Sequence, residues 1–224
     1  MKKRIFLSLS VALLPFFLYL IAAISAIGCA GDFDSQYEDS IAQEDYVTAK
    51  NLMKQQVKEY SHRDYNPTLP IRLAQSLYRL AYAYGKLGEY DSMKVATISG
   101  VNQDRRIAQQ YQKMVVFFAT EEYNKAATAY NGGDYEGSLR GLRTSLSMLG
   151  SDKPYEETAI AILRAMASAA AATGDKEEAK ESCRRGSALG DSAAGEMLKE
   201  FQTGKTPTPL PRLEPRENPP IKIL

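Results

Sequence analysis

The chain has 224 residues, of which 28 are Lys or Arg and 27 are Asp or Glu, so it carries no global field of either sign. Setting aside Lys2, Lys3 and Arg4 leaves two fewer basic than acidic residues, a balance that argues against a nucleic-acid partner. There is no Trp and His62 is the only histidine, which leaves little from which to build a histidine metal site or His-dependent acid–base chemistry.

In chain order, Lys2-Lys3-Arg4 precedes an uncharged run from Ile5 to Gly28, followed by Cys29. A basic n-region, an apolar h-region and a small-residue exit have the form of a secretory signal. The end of the run, Ser25-Ala26-Ile27-Gly28-Cys29, resembles the lipobox of bacterial lipoproteins, with Ala26 where Leu is commoner. The resemblance implies that residues 1–28 are a signal peptide and that Cys29 is acylated, with palmitate-type chains, as the first mature residue. Two rivals remain open. The 24 uncharged residues at about 1.5 Å each reach roughly 36 Å, enough for an uncleaved anchor across a bilayer core of about 30 Å; ordinary secretion is the other. On all three readings the folded part lies outside the inner membrane. Ala30 after the Cys implies, by the same resemblance, sorting to the outer membrane facing the periplasm in a Gram-negative cell. If Cys29 is lipidated, Cys183 is the one remaining thiol, and in an oxidising compartment it is best kept buried.

Residues 29–36 read as a tether, 37–203 as a helical domain and 204–224 as a proline-rich tail. From Tyr46, Ala49, Leu52, Met53, Val57 and Tyr60 form an apolar stripe at helical spacing. Ser61 to Pro70 reads as a loop. Ile71 to Leu87 is a helix whose stripe is Leu77, Leu80, Ala81 and Tyr84, ended by Gly88 and followed by a weak return helix, Tyr90 to Ile98. After Gly100 a run carries Ile107, Tyr111, Met114, Val115, Phe118, Ala126 and Tyr130 on one side; if unbroken from Asn102 to Tyr130 it is long for a globular helix, so a split near Ala119 stays open. Gly132-Gly133-Asp134 turns the chain into a helix from Tyr135 to Leu149. Ser151 or Asp152 is placed to cap the next helix, with Pro154 in its first turn and Leu163, Met166, Ala167 and Ala170 inward. Gly174-Asp175 leads to a return helix, Glu177 to Leu189, with Ala179 and Cys183 inward, and a closing helix runs from Ser192 to Phe201.

These units resemble the tetratricopeptide repeat (TPR), whose helix pair has a large apolar residue, then Leu and a small residue, an aromatic, and Gly-Asp-Tyr with Ala. Leu77, Leu80, Ala81, Tyr84, Gly88 and Tyr90 match, with Met93 in place of the small residue. Glu44-Asp45-Tyr46 with Ala49 matches the second half of an earlier unit. Gly133-Asp134-Tyr135 follows Tyr123, Ala126, Ala127 and Tyr130 in a third. Gly174-Asp175, with Leu163, Met166, Ala167 and Ala179, makes a fourth, with Lys176 in place of Tyr. Turns at positions 44, 88, 133 and 174 lie 41 to 45 residues apart, against a usual repeat of about 34, so the units are lengthened. The resemblance implies an all-α fold: an α-solenoid of about four antiparallel helix pairs with a C-terminal closing helix. An unrelated helical bundle with glycine turns is the alternative.

No HExxH, GxSxG, Walker loop, paired CxxC or dinucleotide glycine pattern occurs, and no enzyme activity, cofactor or metal is expected. Glu121-Glu122 and Glu177-Glu178 read as solvated helix faces. The TPR resemblance implies a protein or peptide partner held on the concave face of the first helices, whose outward positions map to Tyr78, Tyr82 and Lys86, then Asn124, then Arg164. Tyrosines that are exposed or packed between helices, with no ligand, are the equally plain reading of Tyr78 and Tyr82. The tail, with Pro207, Pro209, Pro211, Pro215, Pro219 and Pro220, is expected to be disordered or extended, with a docking peptide ending in Ile221 to Leu224 as the functional alternative. Three functions follow: a membrane-tethered envelope scaffold, a periplasmic small-molecule-binding accessory lipoprotein, or a structural spacer.

Overall fold

The computed structural model describes residues 33–63, 66–149, 155–205 and 208–221. The leader 1–28, Cys29 with the residues up to 32, the expected capping residues Ser151, Asp152 and Pro154, and residues 222–224 lie outside the described residues. The described chain is all-helical. Its helices are α1 (Phe33–Ala42), α2 (Tyr46–Ser61), α3 (Leu69–Lys86), α4 (Tyr90–Gln103), α5 (Ala108–Asn131), α6 (Tyr135–Leu149), α7 (Glu156–Thr173), α8 (Lys176–Ala188) and α9 (Ser192–Gln202), with a 3-10 turn at Arg105–Ile107. They pack in adjacent pairs, α1 with α2 through α7 with α8, and α9 packs on α8.

One backbone device makes these turns. Glu44, Gly88, Gly133, Gly174 and Gly190 all take positive φ, from 57° to 93°, at the end of a helix. A residue there lets the amide of the next residue reach back to the carbonyl five earlier: Asp45 to Ser40 (2.8 Å), Glu89 to Tyr84 (2.9 Å), Asp134 to Ala129 (2.9 Å), Asp175 to Ala170 (2.8 Å) and Asp191 to Gly186 (3.0 Å). The aspartates then start the following helix. Asp45, Asp134, Asp175 and Asp191 accept from the amides of Thr48, Gly137, Glu178 and Ala193 at 2.8–3.1 Å. Glu89 accepts no such bond and instead pairs with Lys50 at 2.7 Å.

Two apolar clusters fill the interior. The smaller joins Tyr37, Ala49, Met53, Leu80 and Ala83 at α1, α2 and α3. The larger runs from Tyr78 to Phe201 and takes in Leu213 of the tail. Ala81, Ala127, Ala167 and Cys183 are buried as their register requires. The seam between α3 and α5 is aromatic: the Phe118 ring lies on Gly85, where a Cβ would stand 2.4 Å from ring carbon Cε2. The Tyr111 hydroxyl passes over Gly100 and donates to the Ala74 carbonyl at 2.9 Å.

Several expected boundaries move. The first helix starts at Phe33 inside the expected tether, because Phe33 packs on the smaller cluster and Asp34 accepts from Gln56 and pairs with Arg79. Pro70 belongs to the first turn of α3, where no amide is needed. The weak return helix continues through Gly100 to Gln103. The break falls at Asp104, which is extended (φ −146°, ψ 104°) and whose carboxylate holds the Arg106 amide at 3.0 Å. Beyond it α5 is one helix that passes Ala119 without interruption. Among the described residues no helix is long and apolar enough to cross a membrane.

Glu44 holds with a side chain the conformation that glycine holds elsewhere, at a cost of about 1–2 kcal/mol. Glu44→Gly is therefore expected to stabilise the chain by a few tenths to about 1 kcal/mol after the added unfolded-state entropy. Gly174→Ala, with open space around it but φ of 84°, loses about 1 kcal/mol. Thermal unfolding reads both, at about 2–4 °C per kcal/mol; a lowered midpoint in Glu44→Gly contradicts the turn assignment.

Candidate functional site

Helix α5 carries Tyr123-Asn124 and, seven residues on, Tyr130-Asn131. Seven residues are about two turns and roughly 10.5 Å, so both pairs stand on one face. The C-terminal segment lies along that face and runs opposite to α5. The Tyr130 hydroxyl donates to the Leu210 carbonyl (2.6 Å). Asn131 clasps Leu213 from both sides, its Oδ1 accepting from the amide (2.9 Å) and its Nδ2 donating to the carbonyl (2.8 Å). The Tyr123 hydroxyl donates to the Glu214 carbonyl (3.3 Å). Asn124 repeats the two-sided clasp on Arg216, at 2.8 and 2.9 Å. From α7, the Ser168 hydroxyl accepts from the Leu210 amide at 3.4 Å.

The spacing of the two clasps has a simple origin. Residues 213 and 216 are three apart in an extended chain, and three residues of polyproline geometry advance about 9.3 Å. That matches the two helical turns between Asn124 and Asn131, so equal side chains at i and i+7 meet equivalent backbone groups at j and j+3. Pro209, Pro211 and Pro215 fall at positions whose missing amide is not called for, since the donors are Leu210, Leu213 and Arg216. Each proline also restricts the residue before it to extended backbone, which lowers the entropy lost on docking. Leu213 supplies the apolar anchor at 3% exposure, with Leu210 and Ile221 partly buried beside it. Burial pushes the Tyr123 and Tyr130 hydroxyls above the ordinary tyrosine range, which keeps them protonated as donors.

Of the tail expected to be disordered or extended over 204–224, residues 208–221 form neither helix nor strand and bend at Pro211, and the stretch held by α5 and α7 is Leu210–Arg216. Of the expected partner-contact residues, Asn124 is in the groove. Tyr78 and Tyr82 are buried, at 1% and 7% exposure, and are not a contact surface. Their rings pack on Tyr111 (5.1 Å between centroids) and Phe118 (5.8 Å), because the aromatic half of α5 covers that side of α3. Lys86 is engaged too, with Nζ 3.1 Å from Glu121 and 5.1–5.8 Å from the ring centres of Tyr82, Phe117 and Phe118. Arg164 stands near enough to Tyr123 to act on it electrostatically, but its guanidinium grips Asp191 through two bonds of 3.0 and 2.5 Å. The contacts that sequence reasoning missed are Tyr123, Tyr130, Asn131 and Ser168. The repeated Tyr-Asn pair at a seven-residue interval was the signal for the three on α5; Ser168 of α7 had none.

A polar recess of about 320 Å³ also opens where α1, α2 and α3 meet. Four of its groups are bonded in series: the Ser76 hydroxyl donates to Gln56 (2.7 Å), Gln56 to Asp34 (3.3 Å), and Asp34 pairs with Arg79, while Arg72 and Gln75 line the recess at its exposed side. Among the described residues no group of His, Cys, Asp and Glu is placed to hold a metal ion. Burial pushes the Cys183 thiol up to about 11, which suits a packing role and not a reactive one. No protein-family model matches the chain, and no curated protein matches it.

Asp191 ties α7 to the last helix by capping α9 and holding Arg164. Burial alone raises a carboxyl pKa, but the Arg164 hydrogen bonds and charge, with the Ala193 and Ala194 amides, outweigh it and hold Asp191 below the usual range. A depressed carboxyl stabilises the fold fully above its unfolded pKa of about 3.9, and the contribution is lost as pH falls through the lower folded value. Asp191→Asn, which keeps the cap and loses the charged pair, is expected to cost about 1.5–3 kcal/mol at pH 7. The gap between the two melting curves should hold from pH 7 to 5 and narrow below pH 4. A gap unchanged down to pH 2.5 contradicts the assignment.

Proposed function

We propose that the chain is a membrane-tethered TPR-type scaffold of the bacterial cell envelope, which holds an extended segment of a partner protein on the face formed by α5 and α7. The observation that carries this reading is the pair of asparagine clasps, which grip backbone and so accept a chain by its conformation. A solenoid arrangement is supported by the recurring positive-φ turns and by the contacts of α5 with both α3 and α7, the first helices of neighbouring pairs. The tether is the acylated Cys29 of the lipobox-like leader, or the same apolar run kept as an anchor. A binding scaffold needs no catalytic group.

A photo-cross-linking residue at Thr128, exposed on α5 between the two clasps, is expected to capture one dominant partner in intact cells. Asn124→Ala with Asn131→Ala should reduce that capture at least tenfold, while a cross-linker at the exposed Val95 of α4 captures it in neither background. Capture that ignores the double substitution contradicts the groove as the partner site. Incorporation of a fatty-acid analogue that is lost in Cys29→Ser tests the tether in the same cells.

A further inference from the structure

The groove is full in the isolated chain, and what fills it specifies what else fits. We infer that Leu210–Arg216 is a resident pseudo-ligand, and that the partner segment displacing it has the same chemistry: an extended, proline-broken stretch of the form Leu-Pro-x-Leu-x-Pro-x. The inference rests on the proposed reading of the α5 and α7 face as the partner site, and adds the identity of the ligand and the state of the groove before binding.

The groove reads two things. It reads backbone donors at three places only, the amides of residues 210, 213 and 216, so proline is accepted between them and excluded at them. It also reads an apolar side chain at 213 and a second, partly covered one at 210. The side chains of Arg212, Glu214 and Arg216 are left in solvent, so the segment is selected by conformation and by leucine spacing, not by charge. An aromatic-lined groove that takes a preformed polyproline chain is an efficient binder because little chain entropy remains to be lost.

Tethering makes the tail a latch. Only residues 203–209 separate α9 from Leu210, and a linker of that length gives an effective concentration on the order of millimolar. A free segment of equal intrinsic affinity therefore meets a groove already occupied, and its apparent affinity falls by the fraction of time the latch is open. Release uncovers the apolar site of Leu213 but leaves the groove helix formed, since Tyr123, Asn124, Tyr130 and Asn131 sit on a helix whose backbone bonds do not involve the tail.

The test uses the full chain and a fluorescein-labelled peptide of residues 208–221, followed by fluorescence anisotropy. Leu210→Asp with Leu213→Asp, placed in the chain and not in the peptide, opens the latch; a thermal midpoint within a few degrees of the parent shows that the helices remain folded. The peptide is expected to bind the opened chain at least tenfold more tightly than the parent chain. Adding Asn124→Ala and Asn131→Ala to the opened chain should remove that binding. A peptide with Arg216→Pro, which lacks a needed amide, should bind at least tenfold more weakly, while one with Arg212→Pro stays within about threefold. Equal binding to opened and parent chains, no binding to the opened chain, or indifference to Arg216→Pro overturns the inference. So does a parent chain that sediments as a dimer and becomes a monomer when opened, since the tail then belongs to a neighbouring copy. If the peptide fails while capture from Thr128 still depends on Asn124 and Asn131, the pseudo-ligand falls and the partner site stands. The opposite pair of results leaves the latch and removes the partner site.

Discussion

A helix ends with carbonyls that lack partners and begins with amides that lack them, and joining two helices in a short turn brings both deficits together. This chain meets both with two consecutive residues, one in the left-handed region and one acidic. The left-handed residue lets the next amide close the old helix, and in four of the turns the aspartate side chain opens the new one. Because the turn is so short, the second helix has nowhere to go but back along the first. The links between pairs are longer and differ from one another, so the pair is the unit and the seam between pairs is where the sequence varies.

The seam explains why α3 and α5 look alike in sequence and end differently. Both carry buried tyrosines. On α3 these meet Tyr111 and Phe118. At 24 residues, about 36 Å, α5 is long enough to divide its work: its first half closes the seam with α3, and its second half presents Tyr123, Asn124, Tyr130 and Asn131 to the tail. The length of α5 is thus part of how the groove is made. Arg164 and Asp191 fix the α7 end of the same face to the closing helix.

Much of this was legible from residues alone. The apolar stripes of α2, α3, α6 and α8 place their helices, and Gly88, Gly133 and Gly174 mark turns because no other residue takes that backbone so cheaply. The errors have particular causes. Tyr78 and Tyr82 were assigned outward from repeat register, but register says which way a side chain leaves the helix and not what meets it there. Ser76, Ala83 and Gly85 on the same helix, all buried, were the warning that α3 is covered on nearly every side. Helix α4 runs past the expected end at Ile98 because Gly100 is the smooth spot over which Tyr111 passes. For the tail, proline density rules out helix but does not say which residues are held; the bonds to Leu210, Leu213, Glu214 and Arg216 depend on side chains of α5 and α7 far away in sequence.

The account turns on two tail amides being hydrogen-bonded to asparagine side chains while their neighbours face water. Amide hydrogen exchange followed by NMR on the intact chain reads this residue by residue. Leu213 and Arg216 are expected to exchange at least tenfold more slowly than Arg212 and Glu217, with the protection of Leu213 lost in Asn131→Ala and that of Arg216 lost in Asn124→Ala. Uniform exchange at the unstructured rate from Leu210 to Ile221 would contradict it.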